Sequence, residues 1–434
     1  MPTKIAPFRA VIYNTNKVGD LAKVVTQPYD KIGPDLRAEY CNRSPYNLAR
    51  VIKPVNDPAL PPDNGYKTAG DLFKKWFDEG VLIRRPQPAL YAYDQEYDVD
   101  GTTYVRHGFV GLLDLDAGKD LVKAHEKTLA GPKADRLKLM RADEANEGHI
   151  FMLYSDPTLT ISDFVAKGRT GTPLLETKDD FGCTHRVWEI TDSAILSGIA
   201  KGIEDKLLFI ADGHHRFETA QNYLAECKEK GWKPLGVESF THRMMTFINL
   251  DEPGLTILPT HRMVRDLPTF DGNAFLEKAK AWFDVKSFTD RTALLEAMKL
   301  PGHHFGLSAN DIDGYTILTL RDEKVMDELG PKEQSKAWKR LDVTILHTLL
   351  LDKLLGIDSA KLESQAHVDY ARDPNGALDK RENGKYQAVF LINPTGVKEV
   401  KEVAEQGEKM PQKSTDFYPK LLSGLIMMKM EIQK

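Results

Sequence analysis

The sequence predicts a mixed α/β fold. Three observations carry that prediction. An apolar run over 207–210 enters ADGHHRFETA (211–220) and leaves through a helical pattern at Tyr223, Leu224 and Cys227, so a buried strand, a glycine turn and a helix follow one another. Short continuous apolar runs, the mark of buried strands, recur at 150–154, 244–250 and 387–392 with helical patterns between them. Residues 88–115 alternate as strands do and carry the hairpin signal Asp100-Gly101.

The elements can be taken in order. Residues 10–13 read as a strand, and 24–32 as a strand that ends in a turn, because Pro28 pushes Gln27 out of helical geometry. A polar turn at 44–47 precedes a strand at 48–52. Residues 68–80 form an amphipathic helix with Leu72, Trp76 and Phe77 inward and Gly80 at its end. After the strands of 88–115, Gly131-Pro132 opens a helix that runs toward Asn146. Helices at 156–172 and 192–204 flank a short strand at 188–190, and 255–258 is a strand running into Pro259-Thr260-His261-Arg262. Beyond 268 come helices at 273–285 and 290–299, a hairpin over 305–320, a long apolar helix over 334–354, and a helix at 397–405. Three parts follow: an N-terminal α/β segment (1–87), a catalytic core (88–267) and a C-terminal α/β domain (268–434).

The bulk numbers exclude several classes. At 434 residues the chain has room for two or three domains. A net charge of −5 argues against a nucleic-acid partner, which needs a basic footprint. Three cysteines (Cys41, Cys183, Cys227) without CxxC spacing give neither a disulfide framework nor a zinc knuckle. No apolar stretch approaches the ~18 residues of a membrane span, and the N-terminus lacks an apolar signal region. A cytoplasmic protein is the expectation; the oligomeric state is open, a homodimer among the options.

Chemistry concentrates in two stretches. Asp212-Gly213-His214-His215-Arg216 places an acid, two imidazoles and a guanidinium at a helix start, where backbone N–H groups and the helix dipole favour an anion. Gly213 lets the backbone approach a ligand, and Arg216 can fork onto a phosphate or carboxylate. The structural alternative is an Asp212 N-cap with one histidine buried and the other solvated. The second stretch is His125-Glu126-Lys127-Thr128, followed by Lys133 and Arg136. Glu126 is a candidate general base, and the cations and hydroxyl could surround phosphate oxygens, although the glycine spacing is not that of a Walker loop. Asp30 either caps a helix starting near Pro34 or contacts ligand. His261 and Arg262 end a strand, as a rim or as ligand contacts, and Lys413-Ser414-Thr415 is a weaker candidate. Adjacent histidines rarely ligate one ion and HExxH spacing is absent, so no protein-held metal is expected; Mg²⁺ arriving with phosphates needs only one or two carboxylates.

PFRAVIYN, QPYDKI, SPYNLARV, HEKTLAGPKADRL, ADGHHRFETA, LPTHR and MPQKSTDFYPKLLSGL together resemble an uncharacterised bacterial and archaeal family, domain of unknown function 1015, over residues 7 to 426. More distantly, the order of HE, helix, strand, DGHHR and helix across 88–265 is similar to the ParB/sulfiredoxin-like superfamily and its free-serine kinases. That resemblance implies a ParB/sulfiredoxin-like core with added N- and C-terminal α/β parts. It implies Glu126 as base on a substrate hydroxyl, with Asp212, Gly213, His215 and Arg216 as the phosphate-holding turn and His214 at its variable position. The expected activity is phosphotransfer between a nucleotide or pyrophosphate and a small hydroxyl compound, free serine or phosphoserine foremost. Asp212, His214 and His215 join Glu126 in the chemistry. His125, Lys127, Thr128, Lys133, Arg136, Gly213, Arg216, His261, Arg262 and Asp30 contact substrate and phosphate. A ParB-like nucleotide-binding module without turnover and a metal-dependent hydrolase are the alternatives.

Overall fold

The computed structural model describes residues 5–118, 120–123 and 130–434. It is mixed α/β, as the sequence predicts. The compact units are two: residues up to Leu255 joined by Pro419–Lys434, and Thr256–Tyr418. The stretch 1–87 therefore belongs to the same unit as the 88–255 region, and the last 16 residues return to it.

The first unit is built on a nine-stranded mixed sheet. In chain order its strands are β1 (Ile5–Ala6), β2 (Leu90–Val99), β3 (Thr102–Asp114), β4 (Val122–Lys123), β5 (Ile150–Tyr154), β6 (Leu175–Lys178), β7 (Thr184–Ile190), β8 (Leu208–Asp212) and β9 (His242–Asn249). The spatial order is β4-β8-β5-β9-β3-β2-β7-β6, with β1 also paired to β3. β8 runs parallel to β4 and antiparallel to β5, whereas β5 and β9 are parallel. The centre is dry: every residue of β5 is buried, which is why it reads as a continuous apolar run rather than an alternation.

Helices of this unit are α1 (Pro34–Arg43), α2 (Asn64–Asp78), α3 (Ala130–Asp143), α4 (Thr160–Gly168), α5 (Ser193–Ile203) and α6 (His214–Glu229). Local chemistry sets their starts. The Asp192 carboxylate accepts from the amides of Ala194 and Ile195, both at 2.9 Å, and so caps α5. In α2 the buried stripe is Ala69, Phe73 and Trp76, one position round from the expected Leu72, Trp76 and Phe77.

Two N-terminal expectations change. Residues 48–52 are not a strand: Ala49–Ile52 is a short helix, nucleated where the Asn47 side chain accepts from the amide of Ala49 at 2.9 Å. All three of its buried residues, Ala49, Val51 and Ile52, are apolar, so the segment carries no readable period. Residues 24–32 give only a one-residue bridge, Thr26 to Ser423, and then a single 3-10 turn at Tyr29–Lys31. The N-cap of α1 is Gly33, so Asp30 does not cap that helix.

The second unit holds a six-stranded sheet whose strands are His261–Val264, Phe283–Phe288, His304–Ala309, Tyr315–Leu320, Val368–Ala371 and Ala388–Ile392. Met263, Leu294, Met298, Val389 and Leu391 are among its buried core. The predicted hairpin over 305–320 and the helix Val397–Glu405 are present. The helix expected over 273–285 ends at Ala279, and Phe283 starts a strand. The long helix over 334–354 is broken. Lys336–Arg340 stops at Leu341, whose backbone is extended (φ −59°, ψ 132°), and Asp342–Ile345 continues into π-helical Leu346–Leu354. Leucine density alone cannot reveal that break. Among the described residues no helix is long and apolar enough to cross a membrane.

Candidate functional site

The site grows from the end of β8. The ladder with β5 shifts register between Ile210 and Asp212, a bulge that re-aims the Asp212 carboxylate. Gly213 follows at φ 100°, a left-handed conformation that glycine alone adopts without strain. α6 then starts at His214 and runs for 16 residues, with the glycine as its N-cap. A glycine has no side chain to cap the first turn, so the dipole and amides of that turn face whatever packs beside the glycine.

Asp212 is a fixed anion rather than a cap. Lys420 Nζ stands 3.4 Å from its Oδ2, and Arg216 Nη2 stands 3.5 Å from its Oδ1. Burial pushes this carboxyl up, but Lys420, Arg216, Lys31 and His214 together outweigh it and hold it well below the usual carboxylate range. Lys420 is itself positioned: its carbonyl accepts from Gln95 Nε2 at 3.0 Å, and Arg106 Nη2 donates to the neighbouring Pro419 carbonyl at 2.5 Å. Arg216 is buried and donates through Nη1 to the carbonyl of His149.

The histidines differ. His214 is buried, 6% exposed. His215 is half-buried, and burial holds its imidazole below the usual range; Glu218 and Asp30 oppose that, while Lys133 and Arg216 add to it. A neutral imidazole at pH 7 can accept a proton. Lys133 pairs with Glu218 at 2.8 Å. Arg136 is held more rigidly: Nε lies 2.7 Å from Asp135, Nη1 donates to the Ile52 carbonyl at 2.8 Å, and the guanidinium sits 4.2 Å over the Tyr29 ring.

Several expected site residues therefore gather within the first unit: Asp30, Lys133, Arg136, Asp212, Gly213, His214, His215 and Arg216. Residues 125–128, with Glu126 among them, lie outside the described residues. His261 and Arg262 belong to the second unit and are occupied there. His261 Nδ1 accepts from the Ile392 amide at 3.2 Å; Arg262 donates to His347 at 3.2 Å and to the Lys413 carbonyl at 3.1 Å. Ser414 caps its own turn by donating to the Pro411 carbonyl at 2.5 Å.

The sequence reading passed over Tyr29, Glu147, Arg243, Lys420 and Ser423, all of which belong to this neighbourhood. The one available signal was Lys420, a lone charge in YPKLL between apolar neighbours. Asp212 and Asp30 are carboxylates of this neighbourhood, and both Asp212 oxygens already face cations. Elsewhere, Asp179, Cys183 and His185 place their ligand atoms within 4.8 Å of one another. There Asp179 already accepts from Phe181 and Cys183 amides at 2.9 Å and faces His185 Nε2 at 3.2 Å, and burial pushes the Cys183 thiol up to about 12.

The family model described as protein of unknown function (DUF1015) matches the sequence over residues 5–344. The chain belongs to the DUF1015 family. No curated protein matches it. Among solved structures it is similar to a conserved hypothetical protein from Pyrococcus furiosus, at 14% identity and TM-score 0.33, covering 70% of this chain and 89% of that one. It is also similar to a free serine kinase in complex with AMP (13% identity, TM-score 0.34, 70% and 86% covered). A third is SbnI with C-terminal truncation from Staphylococcus aureus (12% identity, TM-score 0.34, 72% and 85% covered).

Proposed function

We propose that this DUF1015 protein is a phosphotransferase that moves a phosphoryl group between a nucleotide or pyrophosphate and a small hydroxyl compound, free serine foremost. The observation that carries the reading is the head of α6: a left-handed glycine at φ 100° beside a carboxylate locked between Lys420 and Arg216. Phosphoryl transfer asks the protein mainly for positioning and charge neutralisation. The turn, Arg216 and Lys420 would supply both for a phosphate, with Lys133 and Arg136 alongside. The acceptor oxygen would attack phosphorus, the donor's bridging P–O bond would break, and the hydroxyl proton would pass to a base. On the resemblance of the HE motif, Glu126 would be that base; His215, neutral and half-buried, is a described group that could relay a proton. Mg²⁺ arriving with the donor would neutralise phosphate charge.

The test is turnover. Purified protein with Mg²⁺, L-serine and ATP, ADP or pyrophosphate should yield phosphoserine by ³¹P NMR. Nucleotide binding with no product from any of the three donors would replace this reading with that of a binding module.

A further inference from the structure

Arg216 also walls a cavity of about 40 Å³, shared with Arg136, Arg243, Glu147, Gly148 and Ser423. A single water needs roughly 10–15 Å³ measured this way, so the space suits a group of about three heavy atoms, the size of a carboxylate. Ile52, Leu139, Met140 and Ala145 line it beside the charged groups, and part of its polar wall is unsatisfied. Arg243, 3% exposed, gives Nη2 to the Gly148 carbonyl at 2.9 Å, but its Nε has no partner. Glu147, 9% exposed, stands against the Asp143 carboxyl. Orphaned polar atoms of this kind are rare in folded proteins, because each costs desolvation energy that nothing returns.

The ion pairs leave one guanidinium over. Arg136 is offset by Asp135 at 2.7 Å, and Arg216 by Asp212 at 3.5 Å. Among the described residues no carboxylate oxygen pairs with Arg243. Burial, then Arg216, lowers its guanidinium to about 9, against Glu147 and Asp143. Burial, then Glu147, pushes the Asp143 carboxyl well up. One small anion beside Arg243 and Arg216 would give the orphaned Nε its partner.

We infer that this cavity is a second anion subsite that takes the carboxylate of the acceptor, so that the substrate class is small hydroxylated acids rather than neutral alcohols. The inference rests on the reading that the 212–216 turn holds the transferred phosphate, since Arg216 belongs to both places.

Calorimetric titration of the full chain with L-serine and D-glycerate, against serinol and glycerol, tests it. ATP titration runs as a separate channel. Two variants accompany the wild type. Arg243→Lys keeps the charge and loses the fork. Gly148→Ala adds a methyl that would meet Ser423 Oγ at 3.0 Å and Arg216 Nη1 at 3.5 Å, narrowing the cavity while leaving Arg243 in place. The acids should bind and the neutral alcohols should not. Each variant should weaken acid binding at least about 10-fold, the loss of one charge-assisted hydrogen bond, with ATP affinity unchanged. Neutral alcohols binding as well as the acids, no acid binding at all, or acid affinity surviving in a folded Gly148→Ala protein would overturn the subsite. Failure of ATP, ADP and pyrophosphate to bind would end the phosphotransfer reading instead, while the acid titration still decides this one.

Discussion

Replacing Lys420 with methionine tests whether Asp212 is a held anion or an incidental surface carboxylate. The pair is separated by 3.4 Å, and Lys420 is only 8% exposed. Coulomb's law at an effective dielectric of about 20 gives roughly 5 kcal/mol for that separation. Burying the ammonium offsets part of it, and Asp212 keeps Arg216 at 3.5 Å in the variant, so the net loss should be about 2 kcal/mol. Thermal unfolding should fall by about 4–8 °C at pH 7. The pH dependence is more diagnostic. The Asp212 carboxyl titrates below its ordinary value of about 3.9, so its pairing adds stability above that pH and loses it as the carboxyl protonates on the acid side. The gap between wild type and Lys420→Met should therefore be full at pH 7 and narrow below about pH 4. Circular dichroism melts from pH 3 to 7 measure it. A gap that stays constant across the range would mean that lost packing, not charge, accounts for the effect, and the anion at the head of α6 would no longer be fixed by this pair.

Two further substitutions probe the turn and the chemistry. Gly213→Ala imposes φ 100° on a residue with a Cβ, which would sit 3.2 Å from the Arg216 Cζ. It should cost about 1–3 kcal/mol in urea unfolding and weaken phosphate-ligand binding, and unchanged stability would show that the turn relaxes freely. Glu126→Gln should lower phosphoserine formation by about 10²–10⁴-fold while nucleotide affinity is retained; a fully active variant would place the base elsewhere, with His215 the next candidate.

The parts of this molecule that were legible in the sequence are those governed by local rules. The strand–glycine–helix unit at 207–229 was readable because apolar run, glycine and helical period are adjacent in the chain. The buried strands at 150–154 and 388–392 were readable for the same reason. Where residues are apolar on every side the period disappears. Ala49–Ile52 then passes for a strand, and the kinked 336–354 region passes for one helix. The bulge between Ile210 and Asp212 has no local signature at all, because it depends on the register of β5 some 60 residues earlier.

The same distinction explains which site residues were seen. Asp212, His214, His215 and Arg216 announce themselves within five positions, whereas Lys420 arrives only because Pro419–Lys434 returns to the first unit after the whole of the second. Ser423 comes with it, pairing through its backbone with Thr26, three residues before Tyr29. Arg243 is brought in by β9, whose parallel pairing with β5 follows Gly148 and His149 in the chain. Under the proposed function, the 212–216 turn alone would supply a generic anion site. The residues that would tell one anion from another, Arg243 with its open Nε, Glu147 beside it and Lys420 with its fixed charge, come from elements that only tertiary pairing brings to the head of α6. Specificity in this fold is therefore expected to change through positions 147, 148, 243 and 420 while the ADGHHR turn stays the same.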